Sequence, residues 1–323
     1  MTTPRQPASV RALLDRADEF ARAGNSKAAM SFYQAALKSA PAGYAELGTI
    51  ERLRGAQSFI QRRADEFQQS LDRAIADFRP KDSAAQIRLT HALEMLRGER
   101  TIYPQQPAVF YYPYLAQRQF FERDEFDWAA GLEAKSAIIR DELIALLSED
   151  AQFRPYVDDD PDRPHRDFHG LNNDPSWSAF YLWKDGQIVE ENAARCPRTI
   201  DALKQLPLTH IGARTPVVLF SRLSPGAHIP PHCGMLNSRV ICHLPLIVPE
   251  GCWLRVGNET REGEEGKLMM FDDSIEHEAR NPTAGLRVIL LFDVWRPELS
   301  DAERHAISAI FQSIDSFQAL PDA

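Results

Sequence analysis

The sequence predicts an α+β chain: a helical N-terminal region over residues 1–100, a linker and packing helix over 101–150, and a β-rich domain of jelly-roll type over 151–323. Three observations predict it. Apolar residues recur at helical spacing before residue 100. From about residue 176, short apolar and β-branched runs are separated by Gly, Pro and Asn turns, the pattern of many short strands folded as a sandwich or jelly roll. A length of 323 residues is enough for two domains.

In the helical region, Ala17, Phe20, Ala29, Tyr33, Ala36 and Pro41 have the spacing of a tetratricopeptide unit. The small residues let two antiparallel helices approach, Phe20 and Tyr33 fill the space between them, and Gly24-Asn25 supplies the turn. The following residues do not repeat the signature. Residues 46–78 read as one or two long charged helices with Phe59, Phe67, Leu71, Ile75 and Phe78 on one face. A single unit cannot bury its own face, so these helices are expected to meet a protein partner or form a dimer contact.

Residues 101–128 are rich in Pro and aromatics, from Tyr103 and Pro104 to Tyr114, and read as an ordered stretch wrapped on the β domain. Residues 131–148 form an amphipathic helix. The acidic run Asp158 to Asp162 reads as a solvated turn, because it lacks the Gly and bidentate Glu of a calcium loop. Strands are expected over Trp177 to Trp183, Pro216 to Arg222, Val240 to Val248, Trp253 to Val256, Lys267 to Phe271 and Val288 to Trp295. A last helix from Ser300 to Phe317 opens on a Ser-Asp-Ala-Glu capping box.

Composition excludes several classes. The net charge of −9 argues against a nucleic-acid partner. The N-terminus lacks the apolar core of a signal peptide, and no apolar run approaches a membrane span. Cys196, Cys233, Cys242 and Cys252 have no CxxC spacing and read as reduced thiols of a cytoplasmic protein.

The chemistry-bearing residues lie in the β-rich part. His232 sits in His228-Ile-Pro-Pro-His-Cys-Gly234 and His277 closes Phe271-Asp-Asp-Ser-Ile-Glu-His277, each after a turn and near a strand end. Arg287 follows in an otherwise apolar strand, where a guanidinium is costly unless paired and where its fork fits a carboxylate. Two imidazoles and a buried cation suggest a non-haem iron(II) oxygenase that uses 2-oxoglutarate. The usual carboxylate ligand is missing: Gly234 stands where a His-x-Asp would place it. Asp272 is the expected carboxylate behind a ligand or a water. Arg239 shares strand alternation with His243 and is expected to hold a substrate carboxylate, with His228 as a further substrate-side group. Trp177, Trp183 and Arg195 are candidates for the substrate side of the pocket. His91, His165, His169, His210 and His305 read as structural.

Residues from about 165 to 305 resemble the aspartyl/asparaginyl β-hydroxylase family. The motifs that carry the resemblance are Ser221-Arg-Leu-Ser-Pro-Gly226, His232-Cys-Gly234, His243-Leu-Pro-Leu-Ile-Val-Pro249, Arg255-Val-Gly-Asn-Glu259, Glu265-Gly-Lys267, Phe271-Asp-Asp-Ser-Ile-Glu-His-Glu278 and Arg287-Val-Ile-Leu-Leu-Phe-Asp-Val-Trp-Arg-Pro297, in one order. The resemblance implies a double-stranded β-helix, Fe(II) held by His232 and His277 without a carboxylate, and 2-oxoglutarate bound by Arg287, Ser221 and His243. It implies O2-dependent hydroxylation of an amino acid, peptide or protein side chain, with succinate and CO2 as co-products. Animal members carry a second Arg where this chain has Ile241. Two rival functions remain at this point: a non-catalytic cupin-like binding or adaptor protein, and an iron/2-oxoglutarate halogenase with chloride in the position that Gly234 opens.

Overall fold

A computed structural model describes residues 9–40, 47–78, 82–149, 153–159 and 167–318. Pro41, His165 and the Asp160 to Asp162 part of the expected acidic turn lie outside the described residues. The chain divides into two compact units, Met1–Thr101 and Ile102–Ala323.

The elements of the first unit, among its described residues, are helices: α1 (Val10–Arg22), α2 (Ser26–Ser39), α3 (Leu47–Ile75) and α4 (Ser83–Arg97). Side-chain caps start three of them: Ser9 accepts from the Ala12 amide, Asn25 from Ala28, and Asp82 from Ala84 and Ala85. Gly98, at φ 77°, closes α4 in the left-handed region. α1 and α2 pack through Leu14, Ala17, Ala29, Tyr33 and Ala36, and α3 adds Ala56 with Leu53, Phe59 and Ile60. The Tyr33 hydroxyl donates to Asp18 at 2.6 Å, and Arg52 of α3 reaches the same carboxylate at 2.6 Å. Of the apolar stripe expected along Phe59 to Phe78, Phe59 packs on this cluster and Leu71 and Ile75 are half-buried. α3 runs 29 residues against 14 in α2, and Phe67 and Phe78 remain 49% and 66% exposed.

In the second unit the strands are β1 (Phe120–Phe121), β2 (Arg154–Pro155), β3 (Trp177–Lys184), β4 (Gln187–Ile188), β5 (Val218–Leu223), β6 (His228–His232), β7 (Arg239–Ile247), β8 (Trp253–Val256), β9 (Glu259–Glu262), β10 (Met269–Phe271), β11 (His277–Arg280) and β12 (Arg287–Trp295). The helices are α5 (Ala129–Glu133), α6 (Ser136–Ser148), α7 (Glu190–Ala193), α8 (Pro197–Leu203) and α9 (Asp301–Gln318). One antiparallel sheet runs β1-β10-β7-β12-β5-β3-β2, with β4 on β3, and a second runs β6-β11-β8-β9. From β5 to β12 the chain passes back and forth between the sheets, with β8 and β9 pairing inside the smaller one. That winding is a double-stranded β-helix.

The central strands read as nearly continuous apolar runs because both of their faces are buried. On β7 and β12, Val240, Cys242, Leu244, Val288, Leu290 and Phe292 join Leu132, Ile139, Leu143, Leu146 and Leu203 of the helices in one core. Each such buried Leu or Phe contributes roughly 1.5–3 kcal/mol. The alternate residues, Arg239, Ile241, His243, Arg287, Ile289, Leu291 and Asp293, line a cavity between the sheets. Polar residues fall on this one face, and that asymmetry positions the site. β6 pairs with β11 alone at the sheet edge, so Pro230 and Pro231 remove no ladder bond from a second neighbour.

The Pro- and aromatic-rich stretch is fastened to the β-helix at several points. β1 pairs with β10. The Gln106 amide donates to Ser274 O at 2.6 Å, Ala108 to Gly234 O at 2.9 Å and Phe110 to Met235 O at 3.1 Å. One stretch thus clamps the loop after His232 and the loop before His277. α9 opens on the expected capping box, with the Ser300 amide donating to Glu303 at 2.8 Å. All four cysteines are unpaired. Among the described residues no helix is long and apolar enough to cross a membrane.

Candidate active site

β6 and β11 place His232 and His277 directly opposite each other across the ladder, with ring centroids 4.1 Å apart. Each Nδ1 lies near a carbonyl two residues back: Pro230 O at 2.8 Å for His232 and Ile275 O at 3.0 Å for His277. A carbonyl only accepts, so both Nδ1 atoms carry the proton and both Nε2 lone pairs stay open. Burial keeps the rings neutral. It lowers the His232 pKa, and it pulls His277 down to about 3 with help from the neighbouring His232. Two neutral imidazoles with free Nε2 atoms are suited to a divalent metal. Among the described residues no group of three His, Cys, Asp or Glu could hold a metal ion.

Gly234 has a steric reason. A Cβ added there would come 2.0 Å from Asp273 Oδ2. The space of the missing side chain is taken by the Asp273 carboxylate, and the Gly234 amide donates to Asp273 O at 2.6 Å. Arg239 holds Asp273 Oδ2 from the other side at 2.8 Å, while Asp273 Oδ1 is buried without a partner. Gly234→Ala is therefore expected to push Asp273 off Arg239 and to cost about 1–3 kcal/mol, as overpacking of a filled site does. Thermal unfolding of the variant measures this, and an unchanged midpoint would mean that the carboxylate is not held beside residue 234.

At the other end of the cavity Arg287 is 2% exposed and has no carboxylate partner among the described residues. Burial pulls its pKa down to about 10. His243 stands on β7 opposite Leu291 of β12, with its Nδ1 buried and unpartnered. Burial, then the Arg287 charge, holds its pKa well below the usual imidazole value. Ser221, opposite Ile289, accepts a hydrogen bond from Trp177 Nε1 at 3.2 Å and keeps its own proton to donate. The cavity measures about 350 Å³.

The structure thus brings His232, His277, Ser221, His243, Arg287, Arg239 and Trp177 into one cavity. Five sequence expectations need correction. Asp272 does not line it: it points the other way and pairs with Arg296 at 2.9 Å, also accepting from Gln105 at 2.6 Å. Its neighbour Asp273 faces the cavity instead. Arg239 lines the cavity but is engaged by Asp273 and, at 3.5 Å, by Asp293. Burial opposes its charge, and the two carboxylates hold its pKa above the usual value. His228 lies off the cavity and pairs with Glu278 at 2.7 Å. Trp183 sits in the helix-side core, and Arg195 reaches Glu149 at 2.8 Å, both outside this cavity. Two residues that sequence reading missed complete the wall. Tyr156 stacks on Trp177 with centroids 4.0 Å apart, and Phe168 stands edge-on to His232 at 5.3 Å.

The site is thus a double-stranded β-helix cavity with two facing histidines and a buried arginine that has no carboxylate partner among the described residues. The family model for aspartyl/asparaginyl β-hydroxylase matches residues 133–297, more than half of the sequence, and the chain belongs to that family. The human aspartyl/asparaginyl β-hydroxylase is 36% identical over 180 residues, 55% of this chain and 22% of that protein. An ornithine lipid ester-linked acyl 2-hydroxylase of Rhizobium tropici is 34% identical over 194 residues, 59% of this chain and 65% of its own length. Human aspartate β-hydroxylase domain-containing protein 2 is 34% identical over 213 residues, covering 64% and 55%. The match thus spans from about a fifth to under two thirds of these relatives.

Proposed function

We propose that this chain is an iron(II)- and 2-oxoglutarate-dependent dioxygenase that hydroxylates a C–H bond of an amino acid, peptide or protein side chain. The observation that carries the reading is Arg287, a buried cation with no carboxylate partner among the described residues, in the same cavity as two histidines with free Nε2 atoms. An uncompensated buried charge is costly, and a dicarboxylate co-substrate would remove that cost. The orphaned His243 Nδ1 and the free Ser221 proton fit the same ligand.

In this reading His232 and His277 would hold iron through Nε2, and Arg287, Ser221 and His243 would hold 2-oxoglutarate. When bound, the pair supplies activation of O2, with 2-oxoglutarate leaving as succinate and CO2. The carbonyls of Pro230 and Ile275 fix the tautomers of the two imidazoles. Asp273, held by Arg239, offers its free Oδ1 to order water beside the histidines. Tyr156, Phe168, Trp177 and Ile241 exclude bulk solvent.

Arg287→Ala is expected to raise the 2-oxoglutarate requirement while leaving the iron requirement nearly unchanged. Losing a buried charged contact costs about 2–5 kcal/mol, tenfold or more in affinity. Co-substrate titration at saturating iron checks this, and an unchanged apparent constant would move Arg287 out of the site.

Product mass tests the reaction class. Incubation with iron, 2-oxoglutarate, O2 and pooled amino acids and short peptides is expected to form succinate and a product heavier by one oxygen. High chloride should change neither, because the space that Gly234 leaves is filled by the Asp273 carboxylate, which repels an anion. A chlorinated product would make the chain a halogenase, and no succinate with any substrate would make it a non-catalytic binder.

A further inference from the structure

The later half of α3 carries apolar side chains that its own unit does not cover. Ile60, Ala64, Phe67, Leu71, Ala74 and Phe78 follow one another at alternating steps of four and three. That is a heptad repeat, the narrow seam of a coiled coil rather than the wider stripe of a helix lying on a globular core. Ala64, Phe67, Ala74 and Phe78 are exposed, and Ile60 and Leu71 are half-buried. Ile60, at the start, is shared with the cluster between α1 and α2. α4 flanks the seam on one side. Its Arg97 pairs with Asp72, and Ile75, one turn on from Asp72 and on the same side, is half-buried.

The seam is complementary to itself when a second copy is laid antiparallel to it. Ile60 then meets the second copy's Phe78, Ala64 meets Ala74, and Phe67 meets Leu71. Small residues face small ones and large face large, and the Ala layers let the backbones approach. Arg63 and Asp77 lie beside the seam on its other edge, away from α4, and come opposite each other across such a pair. Two-fold symmetry makes this contact twice. At the axis a residue meets its own copy, and the flanking residues there are Gln68 and Ser70, which carry no charge. A parallel pair would instead set Arg63 beside Gln68 and Ser70 beside Ile75 and gain no ion pair, and charges at these flanking positions choose the orientation. Within its own helix Arg63 pairs with Glu66, an exposed contact of little worth. We infer that the chain self-associates as a two-fold dimer through residues 60–78, packed antiparallel on the same segment of a second copy.

The test is sedimentation equilibrium of the full chain over a range of micromolar concentrations. The wild-type chain is expected to form a dimer that dissociates on dilution. Phe67→Glu should weaken association by about a hundredfold or more, because each dimer loses two buried aromatics. Its circular dichroism should match wild type, since Phe67 is exposed in the single chain. Arg63→Glu and Asp77→Arg should each weaken association on the order of tenfold by placing like charges together twice. The two combined should restore it. Loss of the Arg63–Glu66 contact is common to monomer and dimer, so it cancels from the association constant. A wild-type chain that stays monomeric overturns the inference, as does a dimer that survives Phe67→Glu. A double variant as weak as the single ones would likewise overturn the antiparallel pairing.

Discussion

Replacing either His232 or His277 with alanine is expected to abolish iron binding and turnover while leaving the fold in place. Among the described residues these two imidazoles have no third His, Cys, Asp or Glu to complete a metal-holding group. Either loss would leave one side-chain donor, and the effect should exceed the roughly 10–100-fold that loss of a mere outer partner costs a metal site. The fold should persist because each ring hydrogen-bonds a carbonyl two residues back in the chain, Pro230 O within β6 and Ile275 O in the loop before β11. Iron content after dialysis and far-ultraviolet circular dichroism measure the two halves of this expectation. A variant that kept near-normal iron and activity would remove that histidine from the metal site.

The largest expected loss of stability comes from Arg296→Met. Arg296 and Asp272 are both fully buried and paired at 2.9 Å. The guanidinium also donates to Ala116 O at 2.6 Å and to Glu298 at 2.8 Å, and lies over the Phe121 ring at 5.0 Å. The same Asp272 oxygen, Oδ2, accepts from Gln105, whose own carbonyl is held by Asn237 at 3.0 Å. This network ties the 105–121 stretch to the loop that carries Asp273. Removing the cation strands the buried Asp272 carboxyl without its counter-charge, which costs about 3–5 kcal/mol and should lower the unfolding midpoint by roughly 6–20 °C. Adding Asp272→Asn should recover part of the loss, because it removes the stranded carboxylate while its one carbonyl can keep both Ser274 donors, which share Asp272 Oδ1; the Gln105 donor on Oδ2 loses its acceptor. A single variant as stable as wild type would show that the pair does not anchor this loop.

The parts of the fold that were legible in the sequence are those where burial alone sets the pattern. β7 and β12, buried on both faces, announce themselves as strands, and the strand over Trp253 to Val256 falls on its expected residues. β6, β9 and β11 did not, for identifiable reasons. β6 contains Pro230 and Pro231, tolerable only at an edge that the sequence does not display. β9 reads Glu-Thr-Arg-Glu, with half of its residues exposed, and β11 reads His-Glu-Ala-Arg. Their strand character comes from pairing across the sheet rather than from propensity.

The same distinction runs through the site. His232, His277 and Arg287 were visible because a polar residue in an apolar or turn-bounded context is conspicuous. The choice between Asp272 and Asp273 needed the facing of one strand. Phe271 is paired with Ile241 on the cavity face, so alternation places Asp273 with it and sends Asp272 to Arg296. The period-two row Met269, Phe271, Asp273 carried that signal in the sequence. Tyr156 and Phe168 lie outside long strands, and no periodicity marked them. Nor did any sequence signal show that Arg239 would be neutralised from two directions, since Asp273 and Asp293 reach it from different strand ends.

The most direct measurement is an anaerobic titration of the purified chain with Fe(II) and 2-oxoglutarate, followed by visible absorption. Binding of both in one cavity predicts the charge-transfer band of an iron(II)–2-oxo acid chelate, saturating at one equivalent of iron per chain. The band should be lost in His232→Ala and His277→Ala, and in Arg287→Ala it should need far more 2-oxoglutarate. No band in the wild-type chain, or a band indifferent to all three substitutions, would contradict the assignment of this cavity as the iron and co-substrate site.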